Sequence, residues 1–253
     1  MLAQWSVLSV TVIAIAIFLY GVSKTAMPVV GVLAGPLLAA VLTPTVASAF
    51  ALPLLLVGDL YALALYRSNV DWRLILRLIP GVLAGLLVTA FLFSVLTATA
   101  LSRILGALIL VSVILEIARK TRNLSSELPT DAPLVQSVKA TLFGVLAGMT
   151  SMAANAGGTA MSLYLVNMRV STFTFMGTSA WFFFFINISK VPILINLDLL
   201  TGETLVAGVW FIPAIVSGAV AGSIIFRHIS GEWFYWIVLA VSAMAGLWLL
   251  IVG

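Results

Sequence analysis

Phe143-Gly-Val-Leu-Ala-Gly-Met-Thr-Ser151-Met-Ala-Ala-Asn155-Ala-Gly157-Gly158 opens a stretch, running on to Pro192, that is almost purely apolar. It is interrupted at Asn155-Ala156-Gly157-Gly158, at Gly177-Thr178, at Asn187 and at Lys190. Hydrocarbon tolerates such groups poorly: an ionisable residue at the bilayer centre costs about 3 kcal/mol on insertion scales. Glycines and amides clustered inside apolar segments point to broken helices lining a site. A cation close by points to an anionic occupant.

The whole chain shares this character. Of its 253 residues, 63% are hydrophobic and 8% charged, and the mean hydropathy is +1.25. Soluble domains carry about 25% charged residues, so the composition is that of an integral membrane protein. Membrane β-barrels show alternating segments of about ten residues. Here the apolar runs are long and continuous, which predicts an all-α polytopic protein. The longest polar stretch, Arg119 to Asp131, leaves no room for a soluble domain. The net charge of +4 sits at segment ends and reads as membrane topology rather than a nucleic-acid surface. The chain has no cysteine, which excludes disulfides and thiolate metal sites. No basic residue precedes Lys24, so a cleaved signal peptide is not expected.

A spanning helix needs about 20 apolar residues. About ten transmembrane segments are expected: Ala3–Val22, Met27–Leu42, Val46–Tyr66, Leu74–Leu96, Leu101–Ile117, Leu134–Ser151, Ala156–Val166, Thr172–Ile195, Thr204–Phe226 and Trp233–Val252. The second and seventh are short and could each be one arm of a broken hairpin. With ten crossings and the N-terminus outside, the cytoplasmic ends carry Arg67, Arg73, Arg77, Arg119, Lys120, Arg122, Lys139, Arg169 and Arg227. Asp198 and Glu203 then lie outside, in keeping with the positive-inside rule.

Ten segments divide into two inverted five-segment repeats with broken helices: residues 1–120, a cytoplasmic linker at 121–133, and residues 134–253. Pro80 followed by Gly85 recurs as Pro213 followed by Gly218, Tyr20-Gly21 as Phe143-Gly144, and Asp59 late in its segment as Asn187. Inverted repeats with sites at broken helices characterise many secondary transporters.

Each polar candidate has two readings. Lys190 lies about 8 Å from its segment's end at 1.5 Å per residue, so its stem could snorkel to the interface. Alternatively, with Asn187 one turn earlier and Pro192 freeing a carbonyl, it forms an anion clamp. Lys24 is either a loop charge or the tip of an unwound hairpin inside the membrane. Asp59 could carry a proton, since apolar surroundings favour a neutral carboxyl group. It could equally be a structural partner for Lys24, Lys190 or Arg67. Gly157-Gly158, flanked by Ser151, Asn155 and Thr159, is poor in an ordinary helix. A helix restarting there would offer N–H groups to an anion. The pairs Gly31/Gly35, Gly81/Gly85, Gly144/Gly148 and Gly218/Gly222 fit close helix packing instead. The tryptophans and most phenylalanines read as lipid-facing bulk or interface anchors.

These residues resemble the sulfite exporter TauE/SafE family, also called the toluene-sulfonate uptake permease family, over nearly the whole chain. The likeness rests on Gly21-Val-Ser-Lys24-Thr-Ala-Met-Pro28 through Pro36-Leu-Leu-Ala39, Leu52-Pro53 through Asp59, Tyr66-Arg67, Asp71-Trp72-Arg73 and Pro80-Gly81. In the second half it continues through Phe143-Gly144 to Ser151-Met152, Asn155-Ala-Gly157-Gly158, Tyr164-Leu165, Gly177-Thr178, Asn187 and Lys190-Val-Pro192. Thr159 and Ala26 depart from it, standing where proline and glycine are common. The resemblance implies transport of sulfite, sulfonates or related organosulfur and carboxylate anions, coupled to an ion gradient, in a bacterial inner membrane. It also implies that Lys24 is a site residue.

The expected substrate-binding set is Lys24, Ser151, Asn155, Gly157, Gly158, Thr178, Asn187 and Lys190, with Asp59 as the coupling candidate. The expected partners are a small anion, the lipid bilayer and a proton or other coupling ion; a homo-oligomer stays open. No cofactor, metal or nucleic acid is expected. A passive anion channel on the same frame is the rival reading. An intramembrane hydrolase using Ser151 would need a base, and the single histidine, His228, sits at a segment end beside Arg227.

Overall fold

The computed structural model describes residues 5–42, 44–95, 98–121, 133–155, 157–196 and 198–251. These residues form helices and no strand. The helices are α1 (Val7–Thr25), a 3-10 helix (Pro28–Leu33), α2 (Ala34–Ala39), α3 (Pro44–Tyr66), α4 (Trp72–Val95) and α5 (Ala98–Thr121). They continue with α6 (Pro133–Ala154), α7 (Gly157–Asn167), α8 (Thr172–Asn196), α9 (Gly202–Val209), α10 (Ile212–His228) and α11 (Gly231–Ile251). The expected linker at 121–133 falls almost wholly on residues 122–132, outside those described.

Among the described residues, five helical stretches are long and apolar enough to cross a membrane: Val7–Thr25, Val46–Tyr66, Trp72–Thr89, Thr172–Asn196 and Gly231–Ile251. A sixth span arises if α9 and α10, bent by 55°, are taken as one. The eleven residues of α7 rise about 17 Å, well short of the roughly 30 Å hydrocarbon core. The second expected segment is likewise reduced to the 3-10 helix and α2.

Three breaks have local causes. Met27 is extended (φ −156°, ψ 115°) because the proline that follows disfavours the α region in the residue before it. Pro28 then opens the 3-10 helix. Asn155 adopts a left-handed backbone (φ 50°), a conformation asparagine tolerates better than most residues, and α7 starts two residues later. Thr204–Phe226, expected as one segment, is broken between α9 and α10. Pro213 lacks the N–H that would bond back to Val209 in a continuous helix, and the break falls between them.

The chain divides into two compact units. The first is Met1–Val70 with Met176–Ile229, and the second is Asp71–Phe175 with Ser230–Gly253. Each therefore draws on both halves of the sequence. In the first unit α1 crosses α10 along glycines. A Cβ at Gly218 would overlap the Phe18 carbonyl, and one at Gly21 would overlap the Ile215 carbonyl. Thr25 donates its hydroxyl to Ala219 O at 2.6 Å across the same crossing. The core beside it holds Ile13, Ile17, Tyr20, Phe50, Leu54 and Ile215. Phe50 and Phe211 pack edge to face, with centroids 5.6 Å apart.

In the second unit α6 crosses α4 in the same manner. A Cβ at Gly85 would overlap the Val145 carbonyl, and one at Gly148 the Val82 carbonyl. The two crossings match position by position. Phe18 and Val145 stand three residues before Gly21 and Gly148, as Ile215 and Val82 do before Gly218 and Gly85. The Pro80/Gly85 and Pro213/Gly218 recurrence thus marks equivalent packing positions. The partner of Gly21 in this scheme is Gly148, one helical turn beyond the Gly144 expected from sequence. Gly144 makes its own close approach, to Leu78 O.

Candidate functional site

In the first unit α1, α3 and α8 bring four expected residues deep into an apolar interior. Lys24 sits in the last turn of α1, not in a loop or an unwound tip. Helix α1 runs through Thr25, and Ala26 N–H still bonds to Val22 O. The Lys24 ammonium lies 2.6 Å from Asp59 Oδ1 on α3. Asn187 Nδ2 on α8 donates to Asp59 Oδ2 at 2.7 Å. Both carboxylate oxygens are therefore engaged, by a cation on one side and an amide on the other. Of the structural partners open to Asp59, Lys24 is the one that pairs with it.

Burial sets the electrostatics here. Asp59 is fully buried, and Lys190 and Asn187 are each 2% exposed. Lys190 does not snorkel outward. It lies near enough to Lys24 and Asp59 for both charges to act on it. A charge removed from water in this way needs a countercharge or hydrogen bonds. Three ionisable groups share one region, two cationic and one anionic.

Two neighbours escaped the sequence. Phe183, inside the run Phe182–Phe185, places its ring 5.0 Å from the Lys24 ammonium, a cation–π distance. Four consecutive phenylalanines look alike in sequence, and only the helix phase selects this one. Gly58 lies beside the Lys24 stem, and a Cβ there would come within 3.0 Å of Lys24 Cγ. The adjacent Gly58-Asp59 pair thus supplies both space and charge. Tyr66 O–H donates to Thr25 O at 2.9 Å, tying the end of α3 to the end of α1.

Thr178 is fully buried on α8. It lies nine residues before Asn187, about 14 Å along the axis, and so stands apart from the cluster. The preceding Gly177 has a packing role, since a Cβ there would reach 2.5 Å from Asn69 O.

Ser151, Asn155, Gly157 and Gly158 belong to the second unit, at the break between α6 and α7. Ser151 is 3% exposed, and its carbonyl accepts the Asn155 N–H at 3.1 Å. Both glycines are buried in the first turn of α7. A Cβ on Gly157 would come within 2.9 Å of the Ser151 Cβ and 3.0 Å of Ala147 O. Glycine is what lets α7 restart against α6. This is the break that the sequence pointed to, and packing explains at least Gly157.

The second unit also buries an acid that the sequence reading passed over. Glu116 on α5 is 8% exposed, and it accepts from Asn167 Nδ2 at 2.9 Å and Tyr235 O–H at 3.5 Å. It lies at the end of the expected fifth segment, where an acid resembles an interface residue. His228, the rival hydrolase's sole histidine, is exposed, and its Nδ1 lies 2.8 Å from Ile224 O of its own helix. Among the described residues, no three His, Cys, Asp or Glu side chains converge as metal ligands would.

No curated protein and no solved structure matches the chain. A family profile described as Sulfite exporter TauE/SafE matches residues 13–249. That range contains the whole Lys24–Asp59–Asn187–Lys190 cluster, the α6–α7 break and both glycine crossings. The chain belongs to the sulfite exporter TauE/SafE family of membrane transporters.

Proposed function

We propose that the protein is a secondary active transporter of small anions, most directly sulfite, sulfonates or related organosulfur and carboxylate anions, in a bacterial inner membrane. The observation that carries this reading is the buried cluster of the first unit. It sets two lysines and one carboxylate together inside an apolar body, where an anion would find more basic than acidic groups. Lys24 and Lys190 supply charge to the anion, and Asn187 supplies amide hydrogen bonds. Thr178 offers a further hydroxyl along α8, and in the second unit Ser151, Asn155 and the backbone at Gly157 and Gly158 offer hydrogen-bonding groups of their own to an anion. Asp59 is the coupling residue: it exchanges a proton while its contact with Lys24 is made and broken.

Alternating access between two inverted five-segment repeats, with ten crossings, is the mechanism we propose. The matched glycine crossings of α1 on α10 and α6 on α4 support it, as do the breaks after α1 and α6 in equivalent places. The break at Pro213 adds a discontinuous helix of the sort that such transporters use. A thermal-shift screen of the purified protein against sulfite, sulfate, taurine, sulfoacetate and lactate tests the substrate class. A ligand that binds the folded state raises its stability with concentration, so at least one sulfur oxyanion should raise the melting temperature. A flat response to all five at millimolar concentration would count against the proposal.

A further inference from the structure

We infer that the site in the first unit selects a singly charged anion, and that Asp59 is the countercharge that turns away a doubly charged one. This rests on the anion-transport reading above. Among the described residues, the buried lysine, arginine, histidine and carboxylate side chains of this unit are Lys24, Asp59 and Lys190. With all three ionised, their charges sum to one positive. A monoanion leaves the buried cluster neutral. A dianion leaves it negative, with excess charge placed close to the Asp59 carboxylate. In a low-dielectric interior, like charges a few ångströms apart repel far more strongly than in water.

The geometry fixes Asp59 in that role. Its Oδ1 faces Lys24 at 2.6 Å and its Oδ2 accepts from Asn187 at 2.7 Å. The carboxylate is thus anchored from two helices and cannot easily swing away from an arriving anion. Phe183 covers Lys24 from a further side, 5.0 Å away. In the arrangement seen here, with Asp59 ionised and held by Lys24 and Asn187, an anion reaching these lysines must share them with a negative charge. Neutralising that charge by substitution changes the count by one without altering the side chain's shape.

The test uses probes of fixed charge at neutral pH: methanesulfonate as the monoanion and sulfate as the dianion. Binding to the purified protein is measured by titration calorimetry for the wild type, Asp59→Asn and Lys190→Met. The wild type should bind methanesulfonate at least tenfold more tightly than sulfate. Asp59→Asn should shift that ratio at least tenfold toward sulfate. Lys190→Met, which leaves one ammonium matched by one carboxylate, should weaken methanesulfonate at least tenfold. A wild-type preference for sulfate, or an unchanged ratio in a folded Asp59→Asn protein, would overturn the inference while leaving anion transport intact. If Asp59→Asn does not fold, the wild-type ratio and Lys190→Met decide alone, and either expected result missing overturns it. Failure of every anion, including those of the thermal-shift screen, to bind the wild type would instead remove the transport reading on which the inference rests.

Discussion

Removing Asp59 should damage the protein far more than removing Lys24, and removing both should repair much of the damage. Asp59→Leu leaves Lys24 and Lys190 buried together with no acid between them. Breaking a buried pair by deleting one partner costs about 3–5 kcal/mol, chiefly because an uncompensated charge stays behind. A change of 1 kcal/mol moves the melting temperature by about 2–4 °C for 150–250-residue proteins. On that scale Asp59→Leu should lose roughly 6–20 °C. Lys24→Met is milder, since Lys190 remains near Asp59 and Asn187 still donates to it at 2.7 Å. The double variant has the same net buried charge as the wild type and should melt well above Asp59→Leu. The assay is thermal unfolding in detergent, followed by tryptophan fluorescence, with monodispersity checked at each step. If Lys24→Met loses as much as Asp59→Leu, or the double variant's loss equals the two singles added, the shared-charge description of the cluster is wrong.

Other substitutions probe the frame and the topology. Gly218→Val and Gly85→Val should both abolish monodisperse protein, because each new side chain would overlap a facing carbonyl, Phe18 O or Val145 O. Gly231→Ala, with nothing within 4 Å of the added methyl group, should express and melt like the wild type. Phe183→Leu removes a cation–π contact worth about 0.5–2 kcal/mol and should lower the melting temperature by several degrees, whereas the exposed Phe173→Leu should not. Single cysteines at the exposed Ser68 and Glu203, introduced into this cysteine-free chain, should react with an impermeant reagent from the cytoplasmic and outer sides respectively. Labelling of both from the same side would overturn the proposed topology.

The sequence disclosed most where chemistry contradicts its surroundings. Asp59, Asn187 and Lys190 stand out in apolar helices because burying them is costly, and these three converge in the structure. Lys24 was ambiguous because it falls at a segment end, where a lysine also satisfies the charge rule. Helix α1 simply runs three residues further than its apolar stretch suggested. The glycine crossings were legible as packing, but their register was not. Gly144 and Gly148 both permit close approach, and only the facing carbonyls show which of them matches Gly21. The break between α9 and α10 was hidden because its flanks, Val209 and Ile212, are as apolar as any spanning residue. Phe183 and Glu116 were missed for different reasons, one lost among identical neighbours and the other inconspicuous at the end of an apolar segment.

Solute counterflow in reconstituted vesicles tests the central claim most directly. Vesicles loaded with unlabelled sulfite or methanesulfonate, and diluted into labelled substrate, should show transient labelled uptake exceeding net flux when they contain the wild-type protein. Lys190→Met should abolish that uptake while remaining folded and inserted, because the change removes a buried charge rather than adding one. Unaltered exchange by the Lys190→Met protein would contradict the assignment of the cluster as the transport site. Net flux without counterflow would contradict the carrier mechanism and favour a channel.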